Sequence, residues 1–189
     1  MSTYYSKQEL LDSGFLDNGE DVKISKLCKL YSISGTIGAG TRIDDFTILK
    51  GHFEIGKKVH ICSHCSLSAV GGKITIGDLC GIGVNNIFYT ASDDMLKTAL
   101  CGPLVNEKSL AQKKGNITLG TGVALGGRVT VMPSTVVGNY SAFGISSVLS
   151  GAYQSNSVYM VIKGSLKRIA SRDEKKLQLL AETELKGFI

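Results

Sequence analysis

The chain has 189 residues, 43% of them hydrophobic and 20% charged, with a formal net charge of +5. That is the size and composition of one globular domain; it excludes a disordered chain, and no apolar run is long enough to span a membrane. Mild charge, few aromatics and no recognisable nucleic-acid motif argue against a nucleic-acid partner.

In chain order, residues 1–21 open as MSTYYSKQEL and read as a polar N-terminal segment, not a signal peptide. From about residue 22 to 165 a period of six dominates. Aliphatic or aromatic residues recur at Ile37, Ile43, Leu49, Ile55, Ile61 and Leu67, and after a slip at Val70-Gly71-Gly72 they resume at Ile76, Ile82 and Phe88. They resume again at Leu119, Leu125, Val131, Val137, Phe143 and Leu149. Glycine follows many of these leading residues, and the fifth place is small or β-branched, as at Thr41, Val59, Cys80, Val129 and Ser147. A helix needs spacings of three and four and a lone strand a spacing of two, so a short strand plus a corner, repeated, is the fit. Three hexads close one triangular coil of 18 residues, the separation of Ile37 from Ile55. The expected fold is all-β, a parallel β-helix of about five coils, with glycine permitting the turns.

FYTASDDMLK (88–97) leaves this pattern, and residues 92–116 are expected to protrude as a loop of functional length. Beyond Leu149 the hexads fade, and SRDEKKLQLLAETEL reads as a short C-terminal helix with Ser171 as a possible cap, so 166–189 is expected to form the end of the chain. The five cysteines are odd in number and scattered, which fits free thiols in a reducing cytoplasm better than a disulfide framework. Basic residues gather late, at Lys113, Lys114, Lys163, Lys167 and Arg168, which suits a phosphate-bearing small ligand.

These hexads resemble the hexapeptide-repeat acyltransferases over roughly residues 22–172, and the left-handed sense of the β-helix comes with that resemblance. The family implies a homotrimer with sites between neighbouring β-helices and acetyl-CoA as co-substrate, with no metal required. Maltose and galactoside O-acetyltransferases of the superfamily carry Tyr-Thr-Ala-x-His-Pro, whose histidine is the general base. Here Tyr89-Thr90-Ala91-Ser92 is followed by Asp93-Asp94. Ser-Asp-Asp, Gly102-Pro103, IDDF (43–46), KVHI (58–61) and GGKITIGD (71–78) resemble a subgroup that includes N-acetyltransferases of nucleotide-linked amino sugars such as perosamine, in lipopolysaccharide and O-antigen biosynthesis.

The resemblance and the chemistry together give the candidate site. A sugar amine is already nucleophilic when uncharged and needs orientation and a carboxylate, whereas a hydroxyl needs a stronger base. Asp93 and His60 are the catalytic candidates; Asp94, His64 and Tyr89 are substrate-binding candidates. Hexad counting points His52, His60 and His64 outward. The late coils, with Ala124, Gly126, Ala142, Gly144 and Ser146, offer small residues along which a pantetheine arm is expected to lie, with coil N–H groups near Gly126 and Gly144 as oxyanion donors and Lys163, Lys167 and Arg168 placed to meet the coenzyme's phosphates. The segment matching the family's Gly-x-Pro-Ala-Lys is Gly164 to Arg168, without its proline. The alternatives are O-acetylation with His60 or His64 as base, a γ-type carbonic anhydrase, and a non-catalytic β-helical scaffold.

Overall fold

The computed structural model describes residues 3–102 and 104–188; Pro103 lies outside them. The chain winds as a β-solenoid of about 8 turns. Short strands stack in parallel on three faces. One face carries Lys23–Ile24, Arg42–Ile43, His60–Ile61, Gly81–Ile82, Ala124–Leu125 and Ala142–Phe143, each paired with the next. Every leading residue of the fifteen hexads, from Ile37 to Leu149, is at most 4% exposed, and the fifth places from Thr41 to Ser147 are equally buried. Burial of these columns is the main stabilising term, since each coil covers the apolar face of the next.

The corners work differently from the expectation. The backbone turns at the fourth place, where non-glycine residues adopt left-handed φ in a vertical stack: Phe46 (61°), His64 (60°), Asn85 (58°), Arg128 (59°) and Ser146 (58°). The glycine after the leading residue serves coil stacking instead. A Cβ on Gly38 would lie 2.5 Å from the Gly56 backbone, and one on Gly83 2.8 Å from that of Gly126. Close approach, not backbone torsion, selects glycine there.

Two irregularities hide coils from the count. Leu30 is seven residues before Ile37, and the pairing of Lys29–Ile37 with Ile48–Ile55 shifts between Tyr31 and Ser34. One extra residue therefore masks the hexads below Ile37. At the base, helix α1 (Lys7–Asp12) is fixed by a capping box between Ser6 and Glu9 and buries Leu10. Phe15–Asn18 then forms a parallel rung with Lys29–Ile37, so much of 1–21 closes the core. At the other end Phe143, Tyr153 and Tyr159 pack with ring centroids 4.9–5.2 Å apart.

The protruding segment is an insertion into one coil. Ile76 pairs with Leu119, 43 residues on, where neighbouring coils are 18 residues apart, as Leu49 and Leu67 are. The 25 additional residues match the length of 92–116. Ala91–Asp93 and Gln112–Lys114 close its base as an antiparallel stem. At the C-terminus, Ser157–Ile162 and Ser165–Ser171 form a hairpin, whose turn is Lys163 (φ 51°) and Gly164 (φ 77°). Leu166 pairs with Val161 in it, where a proline would break the ladder. Helix α2 (Glu174–Leu185) is capped by Asp173, not Ser171. It returns along the solenoid, so that Lys58 bonds Glu184 at 2.5 Å and lies 5.1 Å from the Phe188 ring centroid.

Burial sets thiol reactivity. It pushes Cys28 and Cys65 up to about 11 and Cys80 up to about 12, and it raises Cys62 with help from the Asp44 charge. Cys101 is exposed. Thiol titration of the native protein is therefore expected to find two accessible thiols, Cys101 faster than Cys62, and all five only after denaturation. Three or more fast thiols would contradict the burial.

Candidate functional site

The insertion stem opens a cleft of about 730 Å³, lined by the Asp93 and Asp94 region, by Lys113 and Lys114 opposite, and by Met132, Pro133 and Ser134 of the next coil. The handover from solenoid to stem is set by Thr90. Its buried hydroxyl donates to the Ser68 carbonyl at 3.1 Å and accepts from the Gly71 N–H at 3.0 Å. Phe88 still fills the core, and three residues later the chain has left the coil.

The two acids differ in their partners. Asp93 accepts from the Gly102 N–H and from Gln112 Nε2, both at 3.2 Å. Both donors are neutral, and among the described residues no cation bonds to it. Asp94 has its cation: Lys113 Nζ lies 3.3 Å from Oδ1. Of the two acids, Asp93 is therefore the one whose charge no cation offsets among the described residues.

The histidines sit elsewhere in the chain. His60 Nε2 is 2.8 Å from Asp44 Oδ2, while Arg42 Nε holds the other oxygen of Asp44 at 2.6 Å. Its acid partner within one chain is Asp44, not Asp93. Asp44 is partly buried, which pushes its carboxyl up, but the bonds from His60 and Arg42 outweigh this and hold it below the ordinary range. That stabilisation is present above the ordinary carboxylate pKa and is lost as pH falls through the lowered one. Asp44, His60 and Cys62 have ligand atoms within 4.8 Å of one another, a set zinc could use, although the Arg42 guanidinium already occupies one carboxylate oxygen. His64 stacks on Phe46 at 5.0 Å. His52 shares a 2.9 Å hydrogen bond with Ser34. Tyr89 points outward at the end of its strand, 38% exposed. None of His60, His64 and Tyr89 lines the cleft.

The cofactor candidates fall into an order. Ala124 and Ala142 stand in one ladder above Gly81 and His60. Val158, Tyr159 and Met160 continue it into the hairpin that carries Lys167 and Arg168. A Cβ on Gly81 would meet nothing within 4 Å, so packing does not demand glycine there, a signal that periodicity did not reveal. Lys163 is in the hairpin turn, Lys163 and Lys167 are exposed, and Arg168 is held by Ser157 and Ser171. The oxyanion-donor expectation fails on geometry. The Gly126 and Gly144 N–H groups donate at 2.8 Å to the carbonyls of Phe143 and Tyr159 and are engaged in coil stacking. Ser146 occupies an exposed left-handed corner.

The chain is similar to solved structures over nearly its whole length. A serine-to-cysteine variant of AntD, an N-acyltransferase from Bacillus cereus, in complex with dTDP-4-amino-4,6-dideoxyglucose and coenzyme A, is 32% identical with a TM-score of 0.86, covering 98% of this chain and 99% of that one. AntD with dTDP and 3-hydroxybutyryl-CoA is 32% identical with a TM-score of 0.87, covering 98% of each chain. A hexapeptide-repeat acetyltransferase from Vibrio cholerae, complexed with acetyl coenzyme A, is 18% identical with a TM-score of 0.53, covering 88% of this chain and 76% of that one, a likeness of fold alone. No family model and no curated protein matches the chain.

Proposed function

This chain belongs to the hexapeptide-repeat N-acyltransferases that include AntD, and from that premise we propose that it transfers an acyl group from acyl-coenzyme A to the amine of a nucleotide-linked amino sugar. The observation that carries the reading is Asp93, a carboxylate at the mouth of the insertion with only neutral donors on it. It holds the sugar amine, which arrives as the ammonium and loses one proton to solvent, and it accepts the second N–H proton as the neutral amine forms the C–N bond. The C–S bond of the thioester breaks in the same transfer, and coenzyme A leaves as the thiolate. Asp94 orients the sugar. The ladder of Gly81, Ala124 and Ala142 gives the pantetheine arm a shallow track, and Lys163, Lys167 and Arg168 at its upper end meet the coenzyme's phosphates. Acetyl is the expected acyl group, and the 3-hydroxybutyryl-CoA complex of AntD favours a short hydroxyacyl group as the second reading. The pathway setting in this proposal is lipopolysaccharide or O-antigen assembly, in the cytoplasm where activated sugars are made.

The test is thiol release from acetyl-CoA and from 3-hydroxybutyryl-CoA, each against dTDP-linked amino sugars, the matching hydroxy sugars and simple galactosides. Release with amino sugars alone is expected. Release with hydroxy acceptors alone would overturn the amine reading and return the base to His60 or His64.

Homotrimer assembly is also proposed. Phe46, Ile48, Val84, Ile145 and Val148 are apolar and 40–61% exposed. They follow one corner and the strands after it, along the ladder that includes Thr130 and Val148. Ser66, Arg128 and Thr130 punctuate this strip, and its exposed apolar residues are the surface that the assembly would bury. Sedimentation is expected to give three chains, and Ile145→Glu combined with Val148→Glu to give a folded, inactive single chain. A monomeric wild type with full activity would contradict this.

A further inference from the structure

Lys113 and Asp94 face each other across the insertion stem, and they are unequally held. The Asp94 side chain is 12% exposed and that of Lys113 is 60% exposed. Asp94 is anchored twice more, since its Oδ1 accepts the Leu96 N–H at 3.2 Å and its own N–H donates to the Ala111 carbonyl at 2.8 Å. The lysine, on a flexible four-carbon stem, is the partner free to swing. Lys114, next along the strand, lines the same cleft.

A nucleotide-linked amino sugar carries two opposite charges, an ammonium on the ring and a diphosphate at the anomeric carbon. The cleft carries the matching pair, an acid at Asp93 that no cation contacts among the described residues, and exposed cations at Lys113 and Lys114. Resting on the function proposed above, we propose that Lys113 reads the diphosphate: it neutralises Asp94 in the free enzyme and moves to the diphosphate when the nucleotide sugar binds, which uncovers the Asp94 carboxylate for the sugar. The Lys113 end of the pair is open to water at 60% exposure, and its 3.3 Å contact to Asp94 is a single one, which keeps the lysine exchangeable. A diphosphate also offers more negative charge than one carboxylate, so the exchange runs towards the nucleotide. A free amino sugar lacks that charge and leaves the pair closed. The nucleotide is thus a condition for presenting the acid as well as a handle for binding.

The test compares wild type with Lys113→Met and Lys113→Arg, using calorimetric titration with dTDP and kcat/KM for dTDP-linked and nucleotide-free amino sugar. Far-UV circular dichroism and the thermal midpoint serve as folding controls. Lys113→Met is expected to weaken dTDP binding at least tenfold and to raise activity on the free amino sugar, so that the preference for the linked acceptor collapses. Lys113→Arg is expected to retain dTDP affinity to within about threefold, because the charge and reach persist. Unchanged dTDP affinity in a folded Lys113→Met variant would overturn the inference while leaving the amine reading intact. A wild type that binds dTDP through Lys113 but acylates no amino sugar would instead sink the function proposed above.

Discussion

Asp93→Asn is expected to lower kcat on an amino-sugar acceptor by about 100- to 1,000-fold, the usual contribution of a positioned acid or base. The fold should not notice. Asparagine has the same shape: its side-chain oxygen can keep the Gly102 N–H that Asp93 Oδ2 accepts, and its Nδ2 replaces the Oδ1 that accepts Gln112 Nε2, so that the Gln112 amide turns over to present its oxygen. What is lost is the negative charge that holds the amine and takes its proton. Coenzyme A affinity should be unaffected, because the ladder of Gly81, Ala124 and Ala142 lies on a different face of the coil. Asp94→Asn should act mainly on KM, since that carboxylate already shares its charge with Lys113. Steady-state kinetics on both variants check the assignment. If Asp93→Asn keeps more than a tenth of wild-type kcat while His60→Ala loses it, the base is the histidine.

The largest stability effect is expected at Asn86, a polar residue with no exposure, in the fifth place of its hexad. Its Oδ1 accepts the Val129 N–H at 2.5 Å, and its Nδ2 donates to the carbonyls of Gly83 at 2.7 Å and Gly126 at 3.0 Å. The bonds to Val129 and Gly126 tie the last coil before the insertion to the coil that resumes after it, and the bond to Gly83 closes the local corner. Asn86→Ala strands the buried Val129 N–H and takes a donor from the partly buried carbonyls of Gly126 and of Gly83, the latter keeping the Cys65 thiol at 3.1 Å, at a cost of about 3 kcal/mol. Val or Thr at this place, common in other hexads, cannot supply all three bonds and should recover little. Denaturant unfolding followed by circular dichroism measures the cost; a loss under about 1 kcal/mol would mean that the coils on either side of the insertion hold together by apolar packing alone.

The solenoid core was legible because its period is rigid: Ile61, Ile82 and Leu125 must stack or the coil has no interior. What escaped was the part without a period. The single extra residue between Leu30 and Ile37 hid the lower coils, and the stem at Ala91–Asp93 and Gln112–Lys114 depends on pairing across 18 intervening residues that no local pattern announces. The place of the cleft was legible at Asp93 and Asp94, whose roles belong to the proposal, since the array leaves its register there. The partner of each acid was not, because Lys113 and Gln112 reach them only through the hairpin. Asp44 as the partner of His60 follows from coil stacking: Arg42 pairs with His60 between successive coils, and Asp44 stands two residues beyond Arg42. The engaged N–H groups of Gly126 and Gly144 show the converse case, where glycine serves the backbone of the next coil rather than a ligand.

The most direct measurement is the nature of the bond in the product. Wild-type protein would be incubated with acetyl-CoA and dTDP-linked 4-amino-4,6-dideoxyglucose, a molecule that offers both an amine and hydroxyls, and the product would be treated with neutral hydroxylamine before mass analysis. The account predicts one added acetyl group that survives, because an amide resists hydroxylamine. An acetyl group removed by it would be an ester on a hydroxyl and would contradict the assignment of Asp93 to an amine acceptor.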